Sequence, residues 1–181
     1  MLSTTMAFNS ADDIQVTCRQ IPSWHLIPNT SIRSKPLMIY HGAFDATAAE
    51  LTRRLESIGE VIPQWTFTMY RETHFHSTTH EVLGVVAGRA RLCFGGEENP
   101  ERFEPTVQRG DLIIVPAGVG HRLLEDEGDV PFKMVGSYPP QKEWDMCYGR
   151  PGEEAKVQGI QKLEWFHQDP LYGEDGPALH V

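Results

Sequence analysis

From residue 64 to about 138 the chain is a succession of short segments: "QWTFTMYRETHFH", "EVLGVVAG", "RARLCFGG", "RFEPTVQRG", "DLIIVPAG", "HRLLE" and "FKMVGSY". Each is apolar or alternating, and glycine, proline or acidic turns divide them. Segments this short do not make long helices. Strands at even spacing with turn residues between them predict an all-β sandwich or barrel. Sixteen glycines and thirteen prolines fit the same turn-rich reading. A chain of 181 residues is long enough to bury a sizeable core as one domain.

The flanks read differently. Residues 1–12 are small and polar and are expected to fray. "IQVTCRQIPSWHLIPN" reads as extended chain broken by Pro22 and Pro28, and "KPLMIYHGAF" as a strand. "FDATAAELTRRLESIGE" is the one clear helix. Ala48, Leu51, Leu55 and Ile58 recur at spacings of three and four, Asp45 is the expected N-cap, and Gly59 the stop. The tail from 139 is rich in Pro, Gly and acid, yet carries Trp144, Tyr148, Leu163, Trp165, Phe166 and Leu171. A disordered tail rarely holds so many large apolar side chains, so this one is expected to wrap the barrel or a partner subunit. The expected division is a 1–27 extension, a strand plus helix packed on the barrel over 28–63, a 64–138 barrel core and a 139–181 wrapping segment, all in one domain.

The formal net charge is −9, with no basic cluster longer than Arg53-Arg54. Nucleic-acid and anionic-membrane binding both draw affinity from positive charge and are not expected. No apolar run approaches 18 residues, so no membrane span is expected. Three scattered cysteines without a CxxC make a disulfide framework unexpected and suit a reducing, cytoplasmic setting. The first residues lack the basic and apolar regions of a leader.

Within the strand-rich region, "HFHSTTHE" places three of the eight histidines in seven positions and then a glutamate. Residues i and i+2 of a strand share a face, so His74 and His76 point the same way and can reach one ion. Two imidazoles on one strand supply half of a four-ligand transition-metal site. Glu81, after the turn "STT", can bring a carboxylate to the same point. His121, at the start of a later strand after the turn "PAGVG", is the candidate fourth ligand. His80 is next to Glu81 and so faces the other way on a regular strand. It stands as an alternative to Glu81, or as a wall residue holding the turn.

These residues carry a resemblance. His74, His76, Glu81 and Gly88 match the first cupin motif, and Gly110, Pro116, Gly118 and His121 match the second. The cupin pattern often ends with Asn four residues after the last His, and this chain has Glu125 there. "VGSYPP", "WDMCYG" and "DPLYGEDGPAL" extend the likeness to the YjlB-like single-domain cupins, from about residue 28 to the end. The stretch "GEVIPQWTFTMYRE" looks shorter and less rich in Asn and Gly than in that group, so a different pocket mouth is expected. The resemblance implies a double-stranded β-helix, the jelly-roll barrel. It also implies one divalent transition metal per chain (Fe, Mn, Ni or Zn; Cu(II) also suits the donors) on His74, His76, Glu81 and His121.

An incompletely filled first shell marks a catalytic metal. The first expectation is therefore a metal-dependent enzyme on a small oxygen-rich molecule that chelates the ion. Dioxygenase ranks ahead of decarboxylase or isomerase. The alternative is a barrel that binds or senses a small ligand or metal without catalysis, and a purely structural role ranks last. Tyr70 and Glu72 share the parity of His74 and are the candidate catalytic groups beyond the ligands. Gly88, Gly110 and Gly118 are read as turn glycines, Cys93 as a barrel residue, Arg89 and Arg91 as a salt-bridged face, and Trp144 and Asp145 as packing. Cupins commonly dimerise, and a homodimer is expected.

Overall fold

The computed structural model describes residues 7–181 and places nine strands in two antiparallel sheets. The strands are β1 (Gln15–Arg19), β2 (Leu37–His41), β3 (Ile62–Phe67), β4 (Glu81–Ala87), β5 (Arg89–Phe94), β6 (Thr106–Gln108), β7 (Leu112–Val115), β8 (His121–Asp126) and β9 (Lys133–Tyr138). The larger sheet runs β1-β2-β7-β4-β9-β3 and the smaller β6-β5-β8. β1 and β2 lie outside the 64–138 stretch, yet β2 sits within the large sheet, between β1 and β7. The reason is in its sequence: "LMIY" is apolar on both faces, as a strand covered on both sides must be.

Alternation along the strands sorts these residues into two cores. Leu37, Ile39, Leu83, Val85, Ile113, Val115 and Met134 face into the barrel, where Leu92, Phe94 and Leu123 of the smaller sheet meet them. Met38, Tyr40, Val82, Leu112, Ile114 and Val135 face outward and are covered by Leu51 and Leu55 of helix α1 and by Phe166, Leu171 and Ala178 of the tail. Gly84 of β4 lies directly under Leu51, where a Cβ would collide with the leucine methyl. The continuous apolar runs of β2, β4 and β7 are thus the signature of a sheet with both faces buried.

Helix α1 (Ala48–Ile58) starts two residues later than an Asp45 cap would have it. Thr47 is the N-cap, and its hydroxyl and the Glu50 side chain exchange bonds with each other's backbone N–H in a capping box. Asp45 instead pairs with Arg109 at 2.6 Å. Gly59 closes the helix in the left-handed conformation, as expected. A second short helix, α2 (Glu154–Gly159), and 3₁₀ turns at Ile160–Lys162 and Pro177–Leu179 lie in the tail, where the sequence pattern showed no helix. Six residues without a buried face leave no periodic signal. All three cysteines are free thiols. No helix among the described residues is long and apolar enough to cross a membrane.

The tail is anchored on its own barrel by a buried carboxylate. Asp169 accepts hydrogen bonds from the Tyr40 hydroxyl at 2.6 Å and from the backbone N–H groups of Leu171, Tyr172 and Ala178. Removing it leaves four donors unpaired in the outer core. Asp169→Ala should cost about 3 kcal/mol, a fall in Tm of roughly 6–12 °C for this chain length, read in a thermal melt. An unchanged melt would show that the tail does not depend on this anchor.

Candidate metal centre

The segment carrying His74 and His76 is extended but belongs to neither sheet. His74 and His121 exchange backbone hydrogen bonds at 3.2 and 2.8 Å, and Phe75 does the same with Cys147 of the tail at 2.8 and 2.9 Å. The segment is therefore laced between the start of β8 and the tail. The His76 carbonyl accepts from Gly118 N–H, within the turn that Pro116 opens and Val119 closes. Gly118 has φ +93°, and a Cβ there would meet Pro28 at 2.8 Å, so the turn needs a glycine on both counts.

This lacing brings the first pair of histidines to the third. The ring centroids of His74, His76 and His121 lie 4.3–5.4 Å apart, and one nitrogen of each falls within 4.8 Å of the others. Each ring donates Nδ1–H to a backbone carbonyl: His74 to Glu72 at 3.0 Å, His76 to Asp145 at 2.6 Å and His121 to Val119 at 2.9 Å. A carbonyl can only accept, so Nδ1 carries the proton and, in the neutral ring, Nε2 presents a lone pair. This is the tautomer a metal-binding imidazole needs.

Glu81 opens β4 with the parity of Leu83 and Val85, so its side chain points into the barrel. Its Oε1 accepts from the Tyr138 hydroxyl at 2.7 Å. Its Oε2 lies 3.5 Å from His76 Nε2 and 3.4 Å from His121 Nε2, buried and without a hydrogen-bond partner. A buried carboxylate oxygen left unpaired opposite imidazole lone pairs is what a site built for a cation presents. Burial, and next the neighbouring His74, push the pKa of His121 down, and burial lowers that of His74. Burial opposes the ionised form of Glu81, but a protonated His76, with His121 and the Tyr138 hydroxyl, outweighs it and holds the carboxyl below the ordinary range, while the same carboxylate outweighs burial at His76 and raises its pKa. A buried anion among imidazoles and one orphaned oxygen fit a divalent transition ion.

His80 takes the outward face. Its Nδ1 accepts from Ala117 N–H at 2.9 Å, its Nε2 donates to the Glu164 carbonyl at 3.1 Å, and its ring meets Trp165 edge-on. This is the opposite tautomer to the three inward histidines. Burial, the main cause, lowers its pKa to about 4, so it stays neutral and ties the tail to the second-motif turn.

The four residues open into a cavity of about 360 Å³. Its remaining walls are Trp65, Phe67, Thr68, Met69, Tyr70, Leu83, Met134, Tyr138, Trp144 and Met146. Tyr70 does line it, with its ring 5.6 Å from that of His74. Strand parity is not the reason, because residues 68–73 bend instead of running as a strand. Glu72 does not line the cavity. Its carboxylate turns outward to Arg150 at 3.0 Å, and only its carbonyl serves the site, as the acceptor for His74. Arg89 and Arg91 likewise face outward, to Glu127, Glu104 and Glu125.

Sequence reasoning missed several wall residues. The i, i+2 run of Trp65, Phe67 and Met69 was a readable signal, and so was Tyr138, which continues the inward alternation of Met134 and Gly136. A Cβ at Gly136 would collide with the Trp65 indole, whose Nε1 donates to the Tyr138 hydroxyl at 2.9 Å. Trp144 and Asp145, read as packing, serve the site as well. Trp144 stacks on Tyr138 at 4.7 Å and 12°, and the Asp145 carbonyl orients His76 while its carboxylate holds Ser77 and Thr78. No local pattern marks a tail residue that acts through its backbone.

The cupin domain family (Cupin_2) matches residues 64–138. The Bacillus subtilis (strain 168) protein YjlB, described only as uncharacterized, is 33% identical over 147 residues, covering 81% of this chain and 85% of YjlB. Among solved structures, the oxalate decarboxylase OxdC of Bacillus subtilis aligns at 16% identity and a TM-score of 0.37, over 75% of this chain. The coconut allergen cocosin aligns at 14% and 0.35, over 74%. This chain spans 28% and 27% of the length of those two solved chains, and likeness at that level does not extend to chemistry. With the jelly-roll sheets, both motifs in place and the extended match to YjlB, the chain belongs to the cupin superfamily, as a YjlB-like cupin.

Proposed function

We propose that this cupin is a metal-dependent enzyme that holds one divalent transition ion on His74, His76, His121 and Glu81. Its substrate is a small organic molecule that chelates the ion through two oxygens. The observation that carries the reading is the convergence of three Nε2 lone pairs, each fixed by an Nδ1–H bond to a backbone carbonyl, beside a carboxylate oxygen with no partner. Three nitrogens and one carboxylate suit Fe, Mn, Ni or Zn better than Ca or Mg. Such an ion, when bound, supplies Lewis acidity toward oxygen ligands and, if ferrous, activation of dioxygen.

The other side chains favour oxygenation over decarboxylation or isomerisation. The latter two move a proton to or from carbon and are served by a positioned acid or base. The Tyr138 proton is committed to Glu81, and burial, together with the carboxylate beside it, holds that phenol above its ordinary range. Glu72 is engaged with Arg150 outside the cavity. Tyr70 and Thr68 supply the remaining wall hydroxyls, and we assign Tyr70, beside His74, to contact with the substrate.

Plasma mass spectrometry should find about one Fe, Mn or Ni per chain in wild type and none in His76→Ala, with oxygen uptake when an iron-loaded sample meets a chelating substrate. Stoichiometric zinc without oxygen uptake would move the reaction to non-redox chemistry. Bound metal without turnover of any chelator would favour a binding barrel, and a wild type that stays metal-free after reconstitution contradicts the reading. Tyr138→Phe removes the hydrogen bond that orients Glu81 and should weaken metal binding about 10- to 100-fold in a chelator competition. An unchanged affinity would show that Glu81 needs no such support.

A further inference from the structure

Among the described residues, the walls of the proposed metal cavity carry no lysine or arginine. Its polar side chains are the four proposed ligands, Tyr138, Tyr70 and Thr68, and the rest of the lining is aromatic, Leu or Met. The mouth is aromatic as well. Phe67, Tyr70 and Trp144 are 57%, 59% and 43% exposed, and they are three of the five large hydrophobic side chains left exposed among the described residues. Exposed apolar groups gathered at one cavity mark a binding surface for an apolar partner, whereas isolated ones mean little. Trp144 and Tyr138 both line the cavity and are stacked nearly parallel, so the indole is held in place by a second ring. The nearby arginines are engaged elsewhere: Arg150 with Glu72 and Arg71 with the Leu124 carbonyl.

From this lining, and resting on the metal reading above, we infer the substrate class: a singly ionised oxygen chelator with a flat apolar body, such as an aryl 1,3-diketone or a catechol, and not a dicarboxylate. Charge balance gives the first reason. Three neutral imidazoles, one carboxylate and a divalent ion sum to a single positive charge, so a monoanionic chelator makes the buried centre neutral. A dianion would leave a net negative charge in a cavity whose walls hold no cation to receive it, and a buried uncompensated charge is costly. Shape gives the second reason. The apolar walls reward a ring that stacks on Trp144 and Phe67 and offer nothing to a second carboxylate. The structure assigns Trp144 and Phe67, from the tail and from the end of β3, as the specificity-determining residues.

The test compares two chelators that close the same six-membered ring on a metal, 1-phenylbutane-1,3-dione and malonate. Binding to cobalt-loaded protein is followed by calorimetry, and the visible cobalt spectrum reports independently that the metal is bound. The diketone should bind at least about tenfold more tightly than malonate. Trp144→Ala and Phe67→Ala, both at exposed positions, should each lose most of that preference while keeping the cobalt spectrum. Malonate binding as tightly as the diketone with cobalt in place overturns the substrate class alone. So does a preference that survives both substitutions. A protein that develops no cobalt spectrum overturns the metal reading, and the substrate class with it.

Discussion

Three hydrogen bonds from imidazole Nδ1 to backbone carbonyls organise this molecule. They decide which nitrogen faces the cavity, and they do so with main-chain atoms that are themselves fixed by the fold. The acceptors come from three places: the bend before the first motif, the turn of the second motif, and the tail. A ring held in this way has little freedom left to lose when it binds an ion. The same bonds explain why the site depends on parts of the chain that never enter it. Asn29 accepts from the N–H of Gly120, next to His121, while its amide nitrogen holds the Pro22 and Gly95 carbonyls, so the N-terminal segment supports the second-motif turn.

The tail is the clearest case of such support. Its Cys147 pairs with Phe75 as a strand would, its Asp145 carbonyl orients His76, and its Trp144 forms one wall of the cavity. Further on, His80 holds the Glu164 carbonyl, and Asp169 binds the Tyr40 hydroxyl. Tail, outer core and candidate metal centre are therefore mechanically linked. The anchors are buried polar groups with every bond made, the condition under which such groups define one arrangement instead of several.

Much of this was readable in the sequence, for definable reasons. Period-two alternation and turn glycines gave the strands, and Gly88, Gly110 and Gly118 all adopt the positive φ expected of them. The spacing of His74, His76, Glu81 and His121 brought four inward side chains together because strand parity is strict wherever one face is buried. Parity failed where the chain leaves the strand. Glu72 shares an even number with His74, but the intervening backbone bends, and its carboxylate faces Arg150 in solvent. The Asp45 cap failed because Thr47 and Glu50 offered a reciprocal pair of bonds that a lone aspartate cannot. The role of Asp145 depends on a contact with His76 across nearly seventy residues, which no local pattern records.

Whether His74, His76, His121 and Glu81 jointly hold one divalent transition ion is decided by locating the ion. The most direct measurement is anomalous diffraction from crystals of the reconstituted protein, collected on either side of the metal absorption edge. One strong peak is expected at about 2.0–2.2 Å from the three Nε2 atoms and from a Glu81 carboxylate oxygen. The Nδ1 atoms should still be bonded to the carbonyls of Glu72, Asp145 and Val119. A peak held by other side chains, a ligand ring turned to bind through Nδ1, or no peak in fully reconstituted crystals would contradict a site built from these four residues.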